Sequence, residues 1–276
     1  LMYITNSEDV AHIAEEAGVD RIFVDMEYIG KTDRQGGMDT VQSRHTADDV
    51  RRLAQCLNKS ELFVRVNPIH EKTDKYSSSK EEIDEVIEAG ADLLMLPYFK
   101  TAEEVQTFVK YVDGRAKTVL LVETPEAAAI AENLVKIPGI DEMFIGLNDL
   151  SLGYGKNFMF ELLLDGTVEE LCLKFRKGGI PYGFGGIASL GKGMLPSEYV
   201  IKEHYRLGST CAILSRSFCR TDQVTDLKEI QKIFETELPK IRQLEEECSV
   251  HSQYFWKNRQ QVETKIRQIC ECEDAK

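Results

Sequence analysis

Short apolar runs that alternate with amphipathic segments are the feature that most restricts the fold of this chain. Eight such runs are predicted strands. Most of them are continuously apolar rather than alternating, which is typical of parallel strands buried on both faces. The predicted strands are Leu1–Thr5, Arg21–Met26, Leu62–Val66, Leu93–Pro97, Thr118–Glu123, Glu142–Gly146, Pro181–Ile187 and Cys211–Ser215.

Helical periodicity fills the segments between the predicted strands. Thr101 and Glu104 form a capping box before one helix, and Pro125 stands in the first turn of another. The alternation predicts an α/β fold, a (β/α)8 TIM barrel, with a doubly wound open sheet as the runner-up. No G-x-G-x-x-G motif follows a strand, which disfavours the dinucleotide-binding form of that alternative. The predicted helices are Ser7–Ala17 with Asn6 as N-cap, Thr46–Leu57, Glu81–Ala89, Ala102–Val112, Glu126–Lys136 and Ser197–Leu207.

The barrel is predicted to span residues 1–223, and residues 224–276 are predicted as C-terminal helices. A length of 276 residues with 42% hydrophobic content suits one barrel of roughly 250 residues plus an extension. Pro239 is expected to break the extension. Its apolar residues recur at helical spacing, so they are expected to pack on the barrel or on a neighbouring subunit.

Charge and cysteine usage limit the classes of partner. The net charge of −13 argues against nucleic acid and anionic membranes, although a metal or a local arginine would still admit a small anionic substrate. Seven scattered cysteines, Cys270 and Cys272 among them, are typical of reduced thiols. With no signal peptide and no apolar run of about 20 residues, a cytoplasmic protein is expected.

Charged side chains close several of the predicted strands. Asp25 and Glu27 follow the second strand, Arg65 ends the third, Glu123 ends the fifth and Asp149 follows the sixth. In a barrel such residues meet at the active-site mouth. Each alone also has a structural explanation, because a strand-end carboxylate is often a helix cap, Arg65 can simply pair with a carboxylate, and Asp25 can orient a neighbour. Only the joint pattern favours a site.

The chemistry of that pattern suits a divalent metal. Glu123 and Asp149 would form the oxygen-rich site that Mg²⁺ or Mn²⁺ prefers. A chelated 2-oxo acid would then have its enolate stabilised by the metal and by Arg65. Free N–H groups of a short helix opening at Asn148 would receive its carboxylate. The glycine stretch containing Gly186 would bind substrate through backbone N–H groups, or serve packing alone.

Three stretches resemble the HpcH/HpaI hydroxy-ketoacid aldolases and the related citrate lyase β-subunits. GVDRIFVDMEY is similar to the family's second strand, and GADLLMLPYFKTAEEV is similar to its fourth strand and helix. The most specific stretch is similar to the family's metal-binding segment, including the spacing between its two carboxylates: LLVETPEAAAIAENLVKIPGIDEMFIGLNDLSLGYG. The similarity runs from about Asp20 to Ser217.

The resemblance implies a metal-dependent TIM-barrel lyase or aldolase that works next to an enolate of pyruvate or of an acyl thioester. It implies that Glu123 and Asp149 hold the metal and that Arg65 stabilises the enolate. It places Asp25, Glu27 and the residue after it near the metal. It also implies a homo-oligomer, a hexamer or a smaller trimer or dimer, in which subunits exchange their last barrel helix.

Two departures from the family pattern concern proton transfer. Tyr28 stands where aldolase members usually carry a His, and Leu121 stands where they tend to carry a Gln. His45 is the expected replacement because the polar loop Ile29–Arg44 can fold it over the metal, while a surface position at a helix start is the other interpretation. The loop cations would bind a distal anionic group of the substrate or remain solvated: Lys31, Arg34 and Arg44.

Three functional hypotheses follow from the sequence. The first is a metal-dependent carbon–carbon lyase that acts on a 2-oxo acid or its aldol adduct. The second keeps the metal and takes an acyl-CoA, which would need a basic groove for the CoA phosphates. The third is a barrel that has lost catalysis and serves as a binding or scaffold subunit through its C-terminal helices.

Overall fold

Eight parallel strands close into a barrel in the order β1 to β8, which confirms the predicted fold. The structure is a computed structural model that describes residues 1–31, 43–221 and 223–274, and of residues 272–274 it describes the backbone alone. Strand β8 pairs back to β1 through Met2 with Ile213 and Tyr3 with Leu214. The strands are β1 (Met2–Ile4), β2 (Arg21–Asp25), β3 (Glu61–Arg65), β4 (Leu93–Leu96), β5 (Lys117–Val122), β6 (Glu142–Ile145), β7 (Tyr182–Ile187) and β8 (Cys211–Leu214).

Helices surround the barrel in the described part of the chain. They are α1 (Glu8–Glu16), α2 (Ala47–Cys56), α3 (Ser79–Glu88), α4 (Ala102–Val112), α5 (Pro125–Ala129), α6 (Ala131–Leu134), α7 (Leu147–Gly153), α8 (Glu161–Leu164), α9 (Thr167–Gly178), α10 (Ser197–Leu207), α11 (Leu227–Val250) and α12 (Phe255–Asp274). The capping box of Thr101 and Glu104 is confirmed. The predicted N-cap Asn6 is wrong, because the Ser7 side chain accepts the hydrogen bond from the Val10 N–H.

One predicted helix is divided in the structure, and two helices were not predicted. The single helix predicted from Glu126 to Lys136 is divided at Ile130 into α5 and α6. The segment between β6 and β7 holds α7, α8 and α9, of which only the short helix near Asn148 was predicted. The buried residues of α9 recur at helical spacing, so its signal was present in the sequence: Val168, Leu171, Cys172 and Phe175.

Pro239 does not break the C-terminal segment, since it lies inside the continuous helix α11. A proline in a helix interior removes one backbone hydrogen bond, and this usually kinks or ends the helix. Here apolar residues on both sides of Pro239 bury the same face of α11, so packing holds the helix together: Ile230, Phe234, Leu238 and Ile241. The chain turns instead after Val250.

The C-terminal helices lie against the barrel of their own chain. Helix α11 packs on α1 and α10, and α12 packs on α10 and α8. The buried Asn258 side chain fixes α12 by donating to Glu203 Oε1 (2.9 Å) and to the Tyr199 carbonyl (3.2 Å). In the described ranges, the helices are either too short or too polar to cross a membrane.

The barrel interior explains how the strand-end residues come together. Alternate residues of each strand point inward, and large apolar side chains fill the middle of the barrel, among them Phe23, Phe63, Leu121 and Phe144. Two residues beyond Phe23, Phe63 and Leu121, the inward positions carry charged side chains. These side chains are Asp25, Arg65 and Glu123. The site is therefore the layer that follows the apolar core toward the carboxyl ends of the strands.

Candidate metal and substrate site

Asp25 and Arg65 form the fixed side of the site. The register of β2 and β3 places them directly opposite each other. Arg65 donates from Nε to Asp25 Oδ1 and from Nη2 to Asp25 Oδ2, each at 2.8 Å. Burial alone would raise the pKa of Asp25, but Arg65 and Lys31 hold that pKa well below its usual range. Both ion-pair partners are therefore charged and held in one orientation.

Lys31 adds a second cation to this cluster. Its Nζ donates to Asp25 Oδ2 at 2.8 Å and lies 3.6 Å from Glu27 Oε2. Arg65 Nη1 approaches the same Glu27 oxygen at 3.4 Å. Both Lys31 and Glu27 are buried. Lys31 thus neutralises carboxylates beside Arg65. The sequence had predicted instead that Lys31 would bind a distal anionic group of the substrate or remain solvated.

Glu123 lies at the same mouth, directly after β5, and interacts with the charges of Glu27 and Arg65. Its Oε1 accepts a hydrogen bond at 2.9 Å from the backbone N–H of Tyr98, a residue with a left-handed φ of 46°. Burial and the charges of Glu27 and Asp149 raise the pKa of Glu123 well above its usual range, against the opposing pull of Arg65. A buried carboxylate beside two others is a position that a cation would stabilise.

Gly146 leaves the space that the Glu123 side chain occupies. A Cβ at residue 146 would lie 2.7 Å from Glu123 Cβ and 2.8 Å from its Oε2. Real Cβ atoms do not approach other atoms this closely, so any side chain at residue 146 would displace the carboxylate. The glycine of the FIGLND motif therefore serves the position of Glu123.

Asp149 enters from helix α7, which begins directly after β6. Its side chain is buried, and its charge acts on Glu123. Asn148 precedes it, exposed at the rim of the cavity, and its carbonyl accepts a hydrogen bond of 2.7 Å from Ser151 Oγ. The structure thus brings both predicted metal ligands to one wall of the mouth.

The charge balance of these residues fits a divalent cation. Within the described part of the chain, the cluster brings four carboxylates together with the cations Lys31 and Arg65: Asp25, Glu27, Glu123 and Asp149. Glu123 and Asp149 would hold the ion and leave its other positions to water or substrate, as Mg²⁺ requires. Among the described residues, a group of three closely spaced metal-binding side chains occurs only on α1: His12, Glu15 and Glu16.

A cavity of about 810 Å³ opens at this end of the barrel. Arg65, Asp25, Lys31 and Glu123 line it, together with Asp149 of α7. Residues of the segments after β6, β7 and β8 also line the cavity. Cavities of roughly 300–1,000 Å³ with a few converging polar groups are typical ligand sites.

The sequence matches the family model described as HpcH/HpaI aldolase/citrate lyase over residues 1–162. That is more than half of the chain. The chain belongs to this family. The family consists of aldolases and lyases, so the coarse class of activity agrees with the charged mouth of the barrel. None of the curated proteins matches the sequence significantly.

Solved structures of the HpcH/HpaI family share the fold of this chain. An HpcH/HpaI aldolase from Desulfitobacterium hafniense is 14% identical, with 84% of this chain and 92% of that chain covered and a TM-score of 0.59. An HpcH/HpaI aldolase/citrate lyase family protein from Burkholderia cenocepacia is 16% identical, with 84% and 94% covered and a TM-score of 0.60. A citrate lyase from Burkholderia xenovorans is 12% identical, with 95% and 91% covered and a TM-score of 0.56.

His45 lies at the site, beside the second-strand carboxylate of this HpcH/HpaI chain. Its Nδ1 accepts a hydrogen bond of 3.0 Å from the backbone N–H of Asp25, and its ring lines the cavity. A backbone N–H only donates, so the neutral ring carries its proton on Nε2. Burial lowers the pKa of His45 despite the charges of Asp25 and Asp49, which favours that neutral form. His45 is therefore a hydrogen-bond donor in this arrangement.

Tyr28, which replaces the usual family His, lies apart from the cavity. Its side chain is 43% exposed, and its ring lies 5.6 Å from that of Tyr76. The backbone N–H groups of Tyr28 and Ile29 donate to Asn67 Oδ1 at 3.0 and 2.9 Å. Asn67 donates in turn to Glu82 at 2.8 Å. The substrate contact predicted for Tyr28 stays a prediction, and Asn67 fixes the backbone that follows Glu27.

The remaining predicted residues are divided between the cavity and the surface. Gly186 lines the cavity, and a Cβ there would lie 3.3 Å from that of Ser215. Arg44 is exposed and does not line the cavity, while Arg34 lies outside the described residues. Asn67 obeys the same strand-end rule that identified Arg65, so it could have been found. The role of the Tyr98 backbone has no sequence signal.

Proposed function

We propose that the chain is a divalent-metal-dependent carbon–carbon lyase of the aldolase type, acting through the enolate of pyruvate or a related 2-oxo acid. The observation that carries the proposal is the convergence of Arg65, Glu123 and Asp149 from separate strand ends on one cavity. Membership of the HpcH/HpaI family supports the same class of reaction.

In this mechanism each residue has a defined role. Glu123 and Asp149 would hold Mg²⁺ or Mn²⁺, which when bound polarises the keto group of the 2-oxo acid. Arg65, oriented by Asp25, stabilises negative charge on the enolate oxygen. His45 donates a hydrogen bond from Nε2 into the cavity. Lys31 and Arg65 together keep Asp25 ionised, so that its carboxylate stays paired with Arg65.

Pyruvate release from 4-hydroxy-2-oxo acids tests the proposal. The protein would be assayed with Mg²⁺, with Mn²⁺ and with chelator, and pyruvate would be detected by coupling to lactate dehydrogenase. We expect metal-dependent release that Glu123→Gln abolishes and Glu126→Gln, an exposed neighbour, does not. If no 4-hydroxy-2-oxo acid releases pyruvate with either metal, the proposed function is contradicted.

The alternative of an acyl-CoA lyase is separated by the same assay. Cleavage of a 3-hydroxyacyl-CoA, with no cleavage of 4-hydroxy-2-oxo acids, would support the citrate lyase type instead. A catalytically inactive scaffold predicts a third result, in which Glu123→Gln preserves the biological phenotype while removal of residues 247–276 destroys it.

We also propose that the chain forms a homo-oligomer. Helix α11 packs on α1 and α10 of its own chain, so an exchange of the last barrel helix would require α11 to make the same contacts with a neighbour. Light scattering of the purified protein gives the mass directly. A monomer at micromolar concentration would contradict this part of the proposal.

A further inference from the structure

The cavity at the barrel mouth has a second wall of a different character. Phe158, Met159 and Phe160 form one part of it, and Met194 with Leu195 forms the other. We call these five residues the apolar arm. They come from the segments after α7 and after β7. The cavity therefore has charged residues at the strand ends and apolar residues in these later segments.

Met194 is the most exposed member of the apolar arm, with 59% of its side chain accessible. Its loop is well ordered: the Ala188 N–H donates to Ser197 Oγ at 2.7 Å, and the Ser197 N–H donates to the Lys192 carbonyl at 3.1 Å. Together with the partly exposed Met159, Met194 presents apolar surface to the cavity, where a ligand would bury it. Methionine adapts to ligand shape better than other apolar residues.

The size of the cavity gives a separate reason to expect a ligand larger than pyruvate. At about 810 Å³ it lies in the range of cavities that bury drug-sized ligands. A three-carbon acid held between Arg65 and Glu123 would leave most of that volume to solvent. The apolar arm is the surface against which the rest of a longer ligand would lie.

We propose that the apolar arm binds an apolar tail, aliphatic or aromatic, on the side of the substrate distal to its 2-oxo acid group. The inference rests on the proposed function, because it takes the 2-oxo acid to lie at Arg65 and Glu123. Arg216, an exposed residue of the same cavity after β8, supports the rival in which the distal group is anionic. Within the described lining, Met159 and Met194 are the accessible apolar members of the arm, while Phe158, Phe160 and Leu195 line the cavity as buried residues. This apolar lining against the cation Arg216 favours the apolar tail.

Binding of a series of 2-oxo acids tests the proposal without relying on turnover. Dissociation constants of pyruvate, 2-oxohexanoate, 2-oxooctanoate and 2-oxoglutarate would be measured by calorimetry on the full chain with Mn²⁺. We expect affinity to rise by about fourfold per added methylene until the arm is filled. We also expect 2-oxoglutarate to bind more weakly than 2-oxohexanoate. Equal affinities along the series, or tightest binding of 2-oxoglutarate, would overturn the proposal.

Two variants localise the effect. Met194→Glu should lower the affinity for 2-oxooctanoate at least ~10-fold and leave that for pyruvate unchanged. Leu173→Glu, at an apolar residue of α9 that is 47% exposed and lies outside the cavity, should change neither. Unaltered binding of 2-oxooctanoate by Met194→Glu would overturn the inference.

The failure of this inference is distinguishable from failure of the proposed function. If the tail series behaves as expected but pyruvate shows no enolate formation, the lyase proposal alone fails. If enolate forms but the series is flat, the apolar tail alone fails. If no 2-oxo acid binds at all, both fail together.

Discussion

Arg65 and Asp25 are joined by two parallel hydrogen bonds of 2.8 Å beneath the cavity, with both side chains largely removed from solvent. Removing one partner of a buried ion pair leaves the other charge uncompensated. The Asp25→Asn substitution should therefore lower the free energy of unfolding by about 3–5 kcal/mol, measured by urea denaturation. The exposed Asp48→Asn, which pairs with Arg51, should change it by less than about 1 kcal/mol. Equal small effects would show that the buried pair is not formed.

Gly146 and Glu123 provide a test of the metal site by steric displacement. Gly146→Ala places a methyl group within 2.8 Å of the Glu123 carboxylate, so Mn²⁺ affinity should fall at least ~10-fold by electron paramagnetic resonance titration. The overlap should also cost about 1–3 kcal/mol of stability. Gly178→Ala, which meets Val135 Cβ at 2.5 Å away from the site, should cost similar stability with no change in Mn²⁺ affinity. A parallel loss of affinity in both variants would assign the effect to general destabilisation.

His45 is expected to act as a donor and not as a base. Its Nδ1 accepts a hydrogen bond from the Asp25 N–H, so the proton of the neutral ring is on Nε2, and the ring lines the cavity. His45→Gln, whose amide also accepts and donates, should retain at least a tenth of the wild-type rate, while His45→Ala should lose ~100-fold. The pH–rate profile should keep its shape in His45→Gln. Disappearance of one limb of the profile in that variant would instead identify His45 as the titrating acid or base.

The strand-end rule explains why so much of this site is readable in the sequence. Alternation along buried strands fixed the inward positions of Asp25, Arg65 and Glu123, and parallel pairing brings all strand ends to one mouth. The short helix at Asn148 was predicted separately, from the turn that follows the sixth strand, and α7 is found there. Failures occurred where a local preference was overridden, since packing of α11 outweighs the helix-breaking tendency of Pro239.

Contacts made by the backbone could not be predicted in this way. The N–H of Tyr98 reaches Glu123 only because Tyr98 adopts a left-handed conformation that its residue type disfavours. Lys31 was recognised as a loop cation, but its turn back onto Asp25 depends on the path of the chain after β2. Neither has a signature in residue type or spacing.

His204 should make stability depend on pH in a defined window. It is stacked on Phe184 at 3.8 Å, and burial lowers the pKa of His204 from 6.5 to about 3. Between these values the unfolded chain binds a proton that the folded chain does not. The free energy of unfolding should therefore fall with falling pH by up to about 1.4 kcal/mol per unit through that window.

Comparison of two histidine variants isolates this contribution. Urea denaturation from pH 7 to pH 4 should show a shallower loss of stability for His204→Leu than for the wild type. The exposed His251→Gln should follow the wild type. Identical slopes for His204→Leu and the wild type would mean that His204 becomes protonated without unfolding.

Glu123, Asp149 and Arg65 are proposed to form a metal-dependent enolate site. Deuterium exchange into the methyl group of pyruvate tests this proposal directly. Proton magnetic resonance in D₂O should show exchange by the wild type with Mg²⁺ or Mn²⁺ and none with chelator. Glu123→Gln, Asp149→Asn and Arg65→Ala should each lower the rate at least ~100-fold, whereas Glu126→Gln should retain it. Exchange that persists in chelator or in Glu123→Gln, or its absence in the metal-loaded wild type, would contradict the account.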